Sequence, residues 1–151
     1  MALGTNLPFW PALLFSYLEP LSLIYAAYTI FDSPSTFVTL QYPTATSPLT
    51  PVPDGAIILA YAFGNIFILL FLLGTLCTAI TREARVTKYY LLFVAIADLG
   101  HIYASYKVMG KEMILDFNGY NDMMWGNIGA SAFLHVNRLA TFLGVFGRVG
   151  R

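Results

Sequence analysis

Four long runs of apolar residues alternate with shorter polar segments along this chain of 151 residues. The runs cover residues 9–31, 56–80, 89–106 and 128–146. A helix needs about 20 mostly apolar residues to cross the hydrocarbon core of a bilayer, so each run has the length of roughly one span. The pattern predicts an all-α membrane protein, a four-helix transmembrane bundle that forms a single domain over residues 1–151.

Composition places the chain in the same class. It is 58% hydrophobic and 11% charged, with a mean hydropathy of +0.67, which is far from the range of soluble domains. The formal net charge is zero and no basic run is present, so nucleic acid is not an expected partner. Cys77 is the only cysteine, which excludes an intramolecular disulfide.

The distribution of lysine and arginine predicts the orientation in the membrane. Five of these residues fall on one side of the predicted spans and two on the other: Arg82, Arg85, Lys88, Arg148 and Arg151 against Lys107 and Lys111. The side with more positive charge is usually cytoplasmic, so both termini are expected there. The first span has no basic residue before it, unlike a cleaved signal peptide, and we interpret it as a retained helix. The Pro/Ser/Thr-rich loop 32–54 is expected to lie across the opposite mouth of the bundle.

Five ionisable side chains interrupt the apolar spans: Glu19, Asp98, His101, His135 and Arg138. A charged group at bilayer depth costs about 2.5 kcal/mol or more on insertion scales, so such groups usually face a bundle interior. Asp98 and His101 are three residues apart on one helix face and could share a proton. Polar residues also recur at helical spacing in the other spans, as Ser16 with Glu19, Tyr61 with Asn65, and Asn127 with Ser131, His135 and Arg138. These stripes are expected to line a common interior.

The interior would contain two carboxylates and one guanidinium near mid-membrane, an imbalance that a bound proton would relieve. Acid–base chemistry suits such a water-poor site. We assign Glu19 or Asp98 as proton donor, His101 as the proton-sharing partner, and Arg138 as the charge that keeps the other carboxylate ionised. The expected substrate-binding residues are Asn65, Tyr61, Asn127, His135 and Trp125.

Other kinds of site fit the sequence poorly. Asp98-x-x-His101 is a weak metal signal with only two histidines in the chain, and no metal is expected. The glycine-rich, P-loop and nucleophile-elbow motifs are missing, so no cofactor is expected either. One alternative stays open: a satisfied polar network could serve only to fix helix packing in a non-catalytic accessory protein.

Several motifs together resemble a known family. These are Glu19-Pro20, Gly64-Asn65, the segment from Ala97 to Tyr103 (ADLGHIY), the segment from Asn121 to Asn127 (NDMMWGN), and Asn137-Arg138. They resemble a family of small fungal four-helix membrane proteins of unknown function over nearly the whole chain. A more distant resemblance is to the EXPERA group, with the emopamil-binding sterol isomerase, and to fungal membrane-bound terpene cyclases.

The resemblance implies a fungal endomembrane protein, in the endoplasmic reticulum, that serves specialised metabolism. By analogy with the distant groups, buried carboxylic acids would isomerise or cyclise a lipophilic terpenoid-like substrate. Expected partners are that substrate, membrane lipid and other membrane-bound enzymes of a pathway. The rival expectation is an accessory or scaffold protein that supports such a pathway.

Overall fold

The computed structural model describes residues 3–43 and 51–150, and within these ranges the chain is helical and has no strand. Five helices follow one another: α1 (Phe9–Asp32), α2 (Pro34–Leu40), α3 (Asp54–Ile80), α4 (Ala84–Leu115) and α5 (122–143). A single 3-10 turn, Phe117–Gly119, connects α4 to α5. Residues 44–50 of the Pro/Ser/Thr-rich loop, and Arg151, lie outside the described residues.

Three of the helices, α1, α3 and α4, are long and apolar enough to cross a membrane. Helix α5 is of similar length, about 33 Å at 1.5 Å per residue, but it does not reach that apolarity. Its hydropathy is lowered by polar residues in its second half, His135, Asn137 and Arg138. The fold is therefore all-helical with three helices that could span a membrane, one fewer than the sequence pattern predicts.

The helix ends have local causes. Pro34 cannot continue α1, and Ser33 leaves the helical region with φ −143° and ψ 68°. Helix α4 extends beyond residues 89–106 at both ends, and it is broken at Gly110, where φ is +78°. The side chain of Asn121 caps α5 by accepting a hydrogen bond from the backbone N–H of Met124 at 2.8 Å. Gly144, with φ +82°, ends α5 in the left-handed conformation that glycine favours.

The helices pack as two antiparallel pairs, α1 with α3 and α4 with α5. A hydrophobic cluster of Leu7, Ala12, Leu14, Phe15 and Leu91 joins the pairs at the end where α1 begins. A second cluster of Ile30, Phe37 and Ala60, against which Met123 packs, lies at the opposite end. Glu19 of α1, Asp98 of α4 and Arg138 of α5 lie between these clusters along the helices.

Both ends of the described chain meet at one end of the bundle. The backbone N–H of Gly150 donates to the carbonyl of Asn6 at 2.7 Å. The Asn6 side chain in turn donates to the carbonyl of Thr81 at 3.1 Å, and Arg82 donates to that of Gly4 at 2.6 Å. Helix α5 therefore returns the chain to the end at which α1 starts.

Three helical turns are widened into π-type turns: Leu14–Leu18, Thr75–Ile80 and Trp125–Gly129. In the first, the backbone N–H of Glu19 bonds to the carbonyl of Leu14, five residues earlier. The hydroxyl of Thr78, in the second turn, donates to the carbonyl of Phe15 at 3.1 Å and to that of Gly74 at 2.8 Å. The first two turns are thus bonded to each other, immediately before Glu19. Widened turns of this kind are frequent at functional sites.

Candidate functional site

Three ionisable side chains from three helices meet in an ion-pair triad, which we define as Glu19 of α1, Asp98 of α4 and Arg138 of α5. The Arg138 Nη1 donates to Asp98 Oδ2, and the Nη2 donates to Glu19 Oε1. The side chain of Arg138 is 1% exposed, while those of Glu19 and Asp98 are 10% and 11% exposed. A guanidinium so deeply buried is stable only when its charge is compensated, and both carboxyl groups compensate it here.

The guanidinium also contacts an aromatic ring. Its Cζ lies 5.4 Å from the centroid of Phe15, in the widened turn before Glu19. Among the described residues, two buried polar atoms have no hydrogen-bond partner: the Nε of Arg138 and the hydroxyl oxygen of Ser16, which follows Phe15 in the chain. Buried polar atoms are nearly always bonded, so an unpartnered pair at a site is informative.

The charges of the triad do not balance. With both carboxyl groups ionised the triad carries a net charge of −1, and with one proton bound it is neutral. A low-dielectric interior favours the neutral form. The arrangement can therefore hold one exchangeable proton and, after its release, keep the resulting carboxylate bonded to the guanidinium.

The two histidines lie near the triad without joining it. His135, one turn before Arg138, donates from Nδ1 to the carbonyl of Ala95 at 2.8 Å and so ties α5 to α4. His101 is half-buried, and its ring stacks on Phe63 of α3 with centroids 5.9 Å apart. No hydrogen bond links His101 to Asp98 among the described residues. The expected proton sharing between them is therefore not the arrangement found, because Asp98 bonds to Arg138 instead.

The remaining predicted residues lie away from the triad. Asn127 donates to the side chain of Gln41 at 2.8 Å and joins α5 to the segment after α2. Trp125 is half-exposed and packs against Tyr120, with ring centroids 5.2 Å apart. On α3, Asn65 is exposed, and Tyr61 is 40% exposed with its ring stacked on Phe31 of α1 at a centroid distance of 5.9 Å. The expectation that every polar stripe faces a common interior is wrong for α3. Exposing an uncharged polar group on the outside of the bundle costs much less free energy than exposing a charge.

Sequence reasoning missed two polar contacts that position the triad. The indole N–H of Trp10 donates to the side-chain oxygen of Asn137 at 2.9 Å, next to Arg138. The adjacent Asn137-Arg138 pair is the sequence signal that could have drawn attention to this contact. The hydroxyl of Thr78, which holds the widened turn at Phe15, gave no signal beyond being a polar residue in the most apolar span.

Two cavities lie outside the triad. One, of about 290 Å³, is lined by Pro43, Glu112, Met113, Asp116 and Gly119. The other, of about 400 Å³, lies between α4, the turn that follows it and α5, and residues such as Tyr103, Phe117 and Ile128 line it. Neither is lined by a residue of the triad. Within residues 3–43 and 51–150, no three His, Cys, Asp or Glu side chains are grouped so as to hold a metal ion.

Comparison with known proteins identifies a family and no function. No curated protein and no solved structure matches the chain. The DUF7704 family, described as a domain of unknown function, matches residues 4–148. This match includes all three residues of the triad and the four long helices. The chain belongs to the DUF7704 family.

Proposed function

We propose that this protein is a membrane-embedded acid–base catalyst that isomerises or cyclises a lipophilic, terpenoid-like molecule. The observation that carries the proposal is the triad: one fully buried guanidinium bonded to two carboxyl groups from different helices. Such a set of groups is expensive at bilayer depth, and intramembrane ionisable residues usually mark a functional path.

The roles follow from the charges. One carboxyl group of the triad holds a proton and donates it to the substrate. Arg138 is bonded to both carboxyl groups, so it stabilises the carboxylate that the transfer leaves behind. The other carboxylate or a histidine then removes a proton elsewhere on the substrate, which completes an isomerisation without any oxidant or cofactor. Glu19 and Asp98 are equally placed to be the donor, since both side chains are about one-tenth exposed.

The predicted substrate-binding residues have other roles in this proposal, because most of them lie away from the triad. His101 is half-buried one turn from Asp98 and faces the pair formed by α1 and α3, where its ring contacts Phe63. Tyr61 and Asn65, which are both exposed on α3, would meet a substrate only as it approaches from the surrounding lipid. Asn127 and Trp125 would guide it at the end of the bundle where α5 begins.

We also propose that α5 crosses the membrane as a fourth span. Its length suits a span, and its costly groups face α1 and α4 rather than lipid, since Arg138 and Asn137 are buried. The return of the chain to its starting end supports an even number of crossings. The excess of Arg and Lys at that end favours a cytoplasmic location for both termini. The resemblance to small fungal membrane proteins favours a fungal endoplasmic reticulum and a role in a specialised pathway.

The test measures proton transfer without knowledge of the substrate. Purified protein in nanodiscs is incubated in D₂O with a lipophilic extract of cells that express it, and mass spectrometry detects deuterium bound to carbon. Wild-type protein is expected to label at least one lipophile, and Glu19→Gln or Asp98→Asn is expected to reduce the rate of labelling by at least tenfold. Asp32→Asn and Glu83→Gln, at exposed carboxyl groups, are the matched controls.

A second candidate function is a non-catalytic accessory protein of a membrane-bound pathway. It is favoured by the pairing of both carboxyl groups with Arg138, which a purely structural role would also require. In this case the triad would only fix the packing of α1, α4 and α5. Absence of labelling by folded wild-type protein, together with co-purification of a pathway enzyme that depends on the triad, would replace the catalytic proposal by this one.

A further inference from the structure

Not every N–H group of the Arg138 guanidinium donates a hydrogen bond among the described residues. A guanidinium offers five N–H bonds in one plane, and its Nε–H runs parallel to one Nη2–H, so that the two together can bind both oxygens of a carboxylate. Glu19 uses the Nη2 half of this fork through Oε1 alone. The Nε half has no partner although Arg138 is 1% exposed.

The hydroxyl of Ser16 is unpartnered in the same way. Ser16 is 8% exposed and lies within the widened turn Leu14–Leu18 that directly precedes Glu19. It also adjoins Phe15, whose ring contacts the guanidinium. A buried serine in a helix commonly bonds to a carbonyl of the preceding turn, as Thr78 does, and Ser16 does not.

We propose that the Nε–H of Arg138 and the hydroxyl of Ser16 bind an oxygen atom of the ligand, so that the ligand is a lipophile with a carbonyl or hydroxyl group rather than a pure hydrocarbon. The inference rests on the proposed function and names its substrate class. Both groups can donate a hydrogen bond, and a neutral oxygen can accept both. Binding would thereby remove the free-energy cost of burying these two groups without hydrogen-bond partners.

The position of this oxygen fits the proposed chemistry. Atoms that bind the two halves of one fork are neighbours, so an oxygen on Nε–H lies beside the carboxyl group of Glu19. The proton of that carboxyl group passes to the oxygen, the O–H bond of Glu19 breaks, and a new O–H bond forms on the ligand. The ligand gains one positive charge, and Glu19 becomes a carboxylate that is still bonded to Nη2. No electron is transferred and no co-reactant is required.

The experiment compares three probes with the same carbon skeleton: farnesal, farnesol and the hydrocarbon farnesene. Full-length protein in nanodiscs is titrated with each, and the shift of the thermal unfolding midpoint is recorded against empty-nanodisc controls. The carbonyl stretching band of carbonyl-¹³C-labelled farnesal is followed by difference infrared spectroscopy. We expect farnesal and farnesol to raise the midpoint and farnesene to leave it unchanged, with a bound carbonyl band displaced to lower wavenumber.

Ser16→Ala is expected to fold, since the change removes one oxygen atom that has no hydrogen-bond partner. It is expected to weaken the binding of farnesal at least fivefold and to reduce the displacement of the carbonyl band. Ser105→Ala is the control, because the Ser105 hydroxyl bonds only to the backbone carbonyl of His101 in its own helix, at 3.5 Å. Equal stabilisation by all three probes, no displaced carbonyl band, or unchanged binding in Ser16→Ala would each overturn the inference. These readouts need no turnover, so the inference can fail while deuterium labelling still supports proton transfer.

Discussion

At the residue scale, Arg138 has the largest expected effect on stability. Arg138→Met keeps much of the apolar stem but removes the partner of both Glu19 and Asp98. Removing one member of a buried ion pair typically costs about 3–5 kcal/mol, because the remaining charge is left uncompensated. We expect a loss of this size in the free energy of unfolding, measured by denaturant titration of protein in mild detergent.

The control for this change is Arg85→Met, at an exposed position near the start of α4. Substitutions at such sites usually change stability by less than about 0.5 kcal/mol. A similar loss in both variants would show that the triad contributes no more than an ordinary surface arginine.

The meeting of Glu19, Asp98 and Arg138 could be anticipated from the sequence, because charges at similar depth in different spans have few other partners. The partner of Asp98 could not be identified in this way. His101 is its neighbour on the same helix, but the long side chain of Arg138 reaches it from another helix. The position of Asn65 was also beyond prediction, because in a helix with no charge a single amide does not decide which face turns inward.

At the scale of elements, the widened turns of α1 and α3 depend on each other through one hydroxyl. Thr78→Val keeps the shape of the side chain and removes the hydrogen bonds to the carbonyls of Phe15 and Gly74. Each such bond contributes about 1 kcal/mol, and a buried carbonyl left without its donor adds to the cost. We expect the free energy of unfolding to fall by about 1–3 kcal/mol.

Thr29→Val is the matched control, because its hydroxyl bonds only to the carbonyl of Ala26 in its own helix, at 2.8 Å. Its loss should be less than half of that for Thr78→Val. A greater loss at Thr29 would contradict the view that the bond between the two widened turns matters more than hydroxyl bonds within a helix.

The close packing of α1 on α3 depends on a glycine. A Cβ at Gly64 would lie 3.1 Å from the ring of Phe31 and 3.3 Å from Ile30, so Gly64→Leu must push the helices apart. Overpacking typically costs about 1–3 kcal/mol. At Gly100, in contrast, nothing lies within 4 Å of the added Cβ. Gly100→Leu should therefore leave stability unchanged or raise it. Thermal unfolding of both variants, compared with the wild-type protein, measures the two effects.

Helix existence could be predicted from the sequence more readily than helix shape. Long apolar runs indicate where helices lie, and Pro34, Asn121 and Gly144 supply recognisable stop and start signals. The widened turn at Leu14–Leu18 has no such signal, since apolar side chains fit α and π turns equally. The break at Gly110 is visible only from its φ of +78°, because Gly110 lies beyond the predicted span 89–106, where the sequence pattern does not indicate that a helix continues.

At the scale of the whole molecule, the two pairs of helices are held together at both ends and by the triad between them. The joint at the end where α1 begins includes both ends of the described chain, through Asn6, Thr81 and Gly150. No local sequence pattern predicts these contacts between distant segments of the chain. They arise because four long helices that run alternately up and down the bundle return the chain to its starting side.

This return gives a prediction about membrane topology. In a chain with Cys77→Ala, single cysteines are placed at exposed positions by Glu83→Cys, Arg148→Cys and Asn118→Cys. Four crossings put residues 83 and 148 on one side of the membrane and residue 118 on the other. In sealed vesicles of known orientation, an impermeant maleimide should therefore label positions 83 and 148 together from the cytoplasmic side, and position 118 only after the vesicles are opened.

The possible outcomes separate the number of crossings from their direction. If position 148 reacts from the side of position 118, α5 does not cross the membrane. The contact between Asn6 and Gly150 would then fail with it, because a hydrogen bond cannot join two sides of a bilayer. If all three labels are reversed, four crossings stand and only the orientation argued from Arg82, Arg85 and Lys88 is wrong. The triad survives the second result but not the first, since Arg138 reaches Glu19 and Asp98 only if α5 lies at their depth in the membrane.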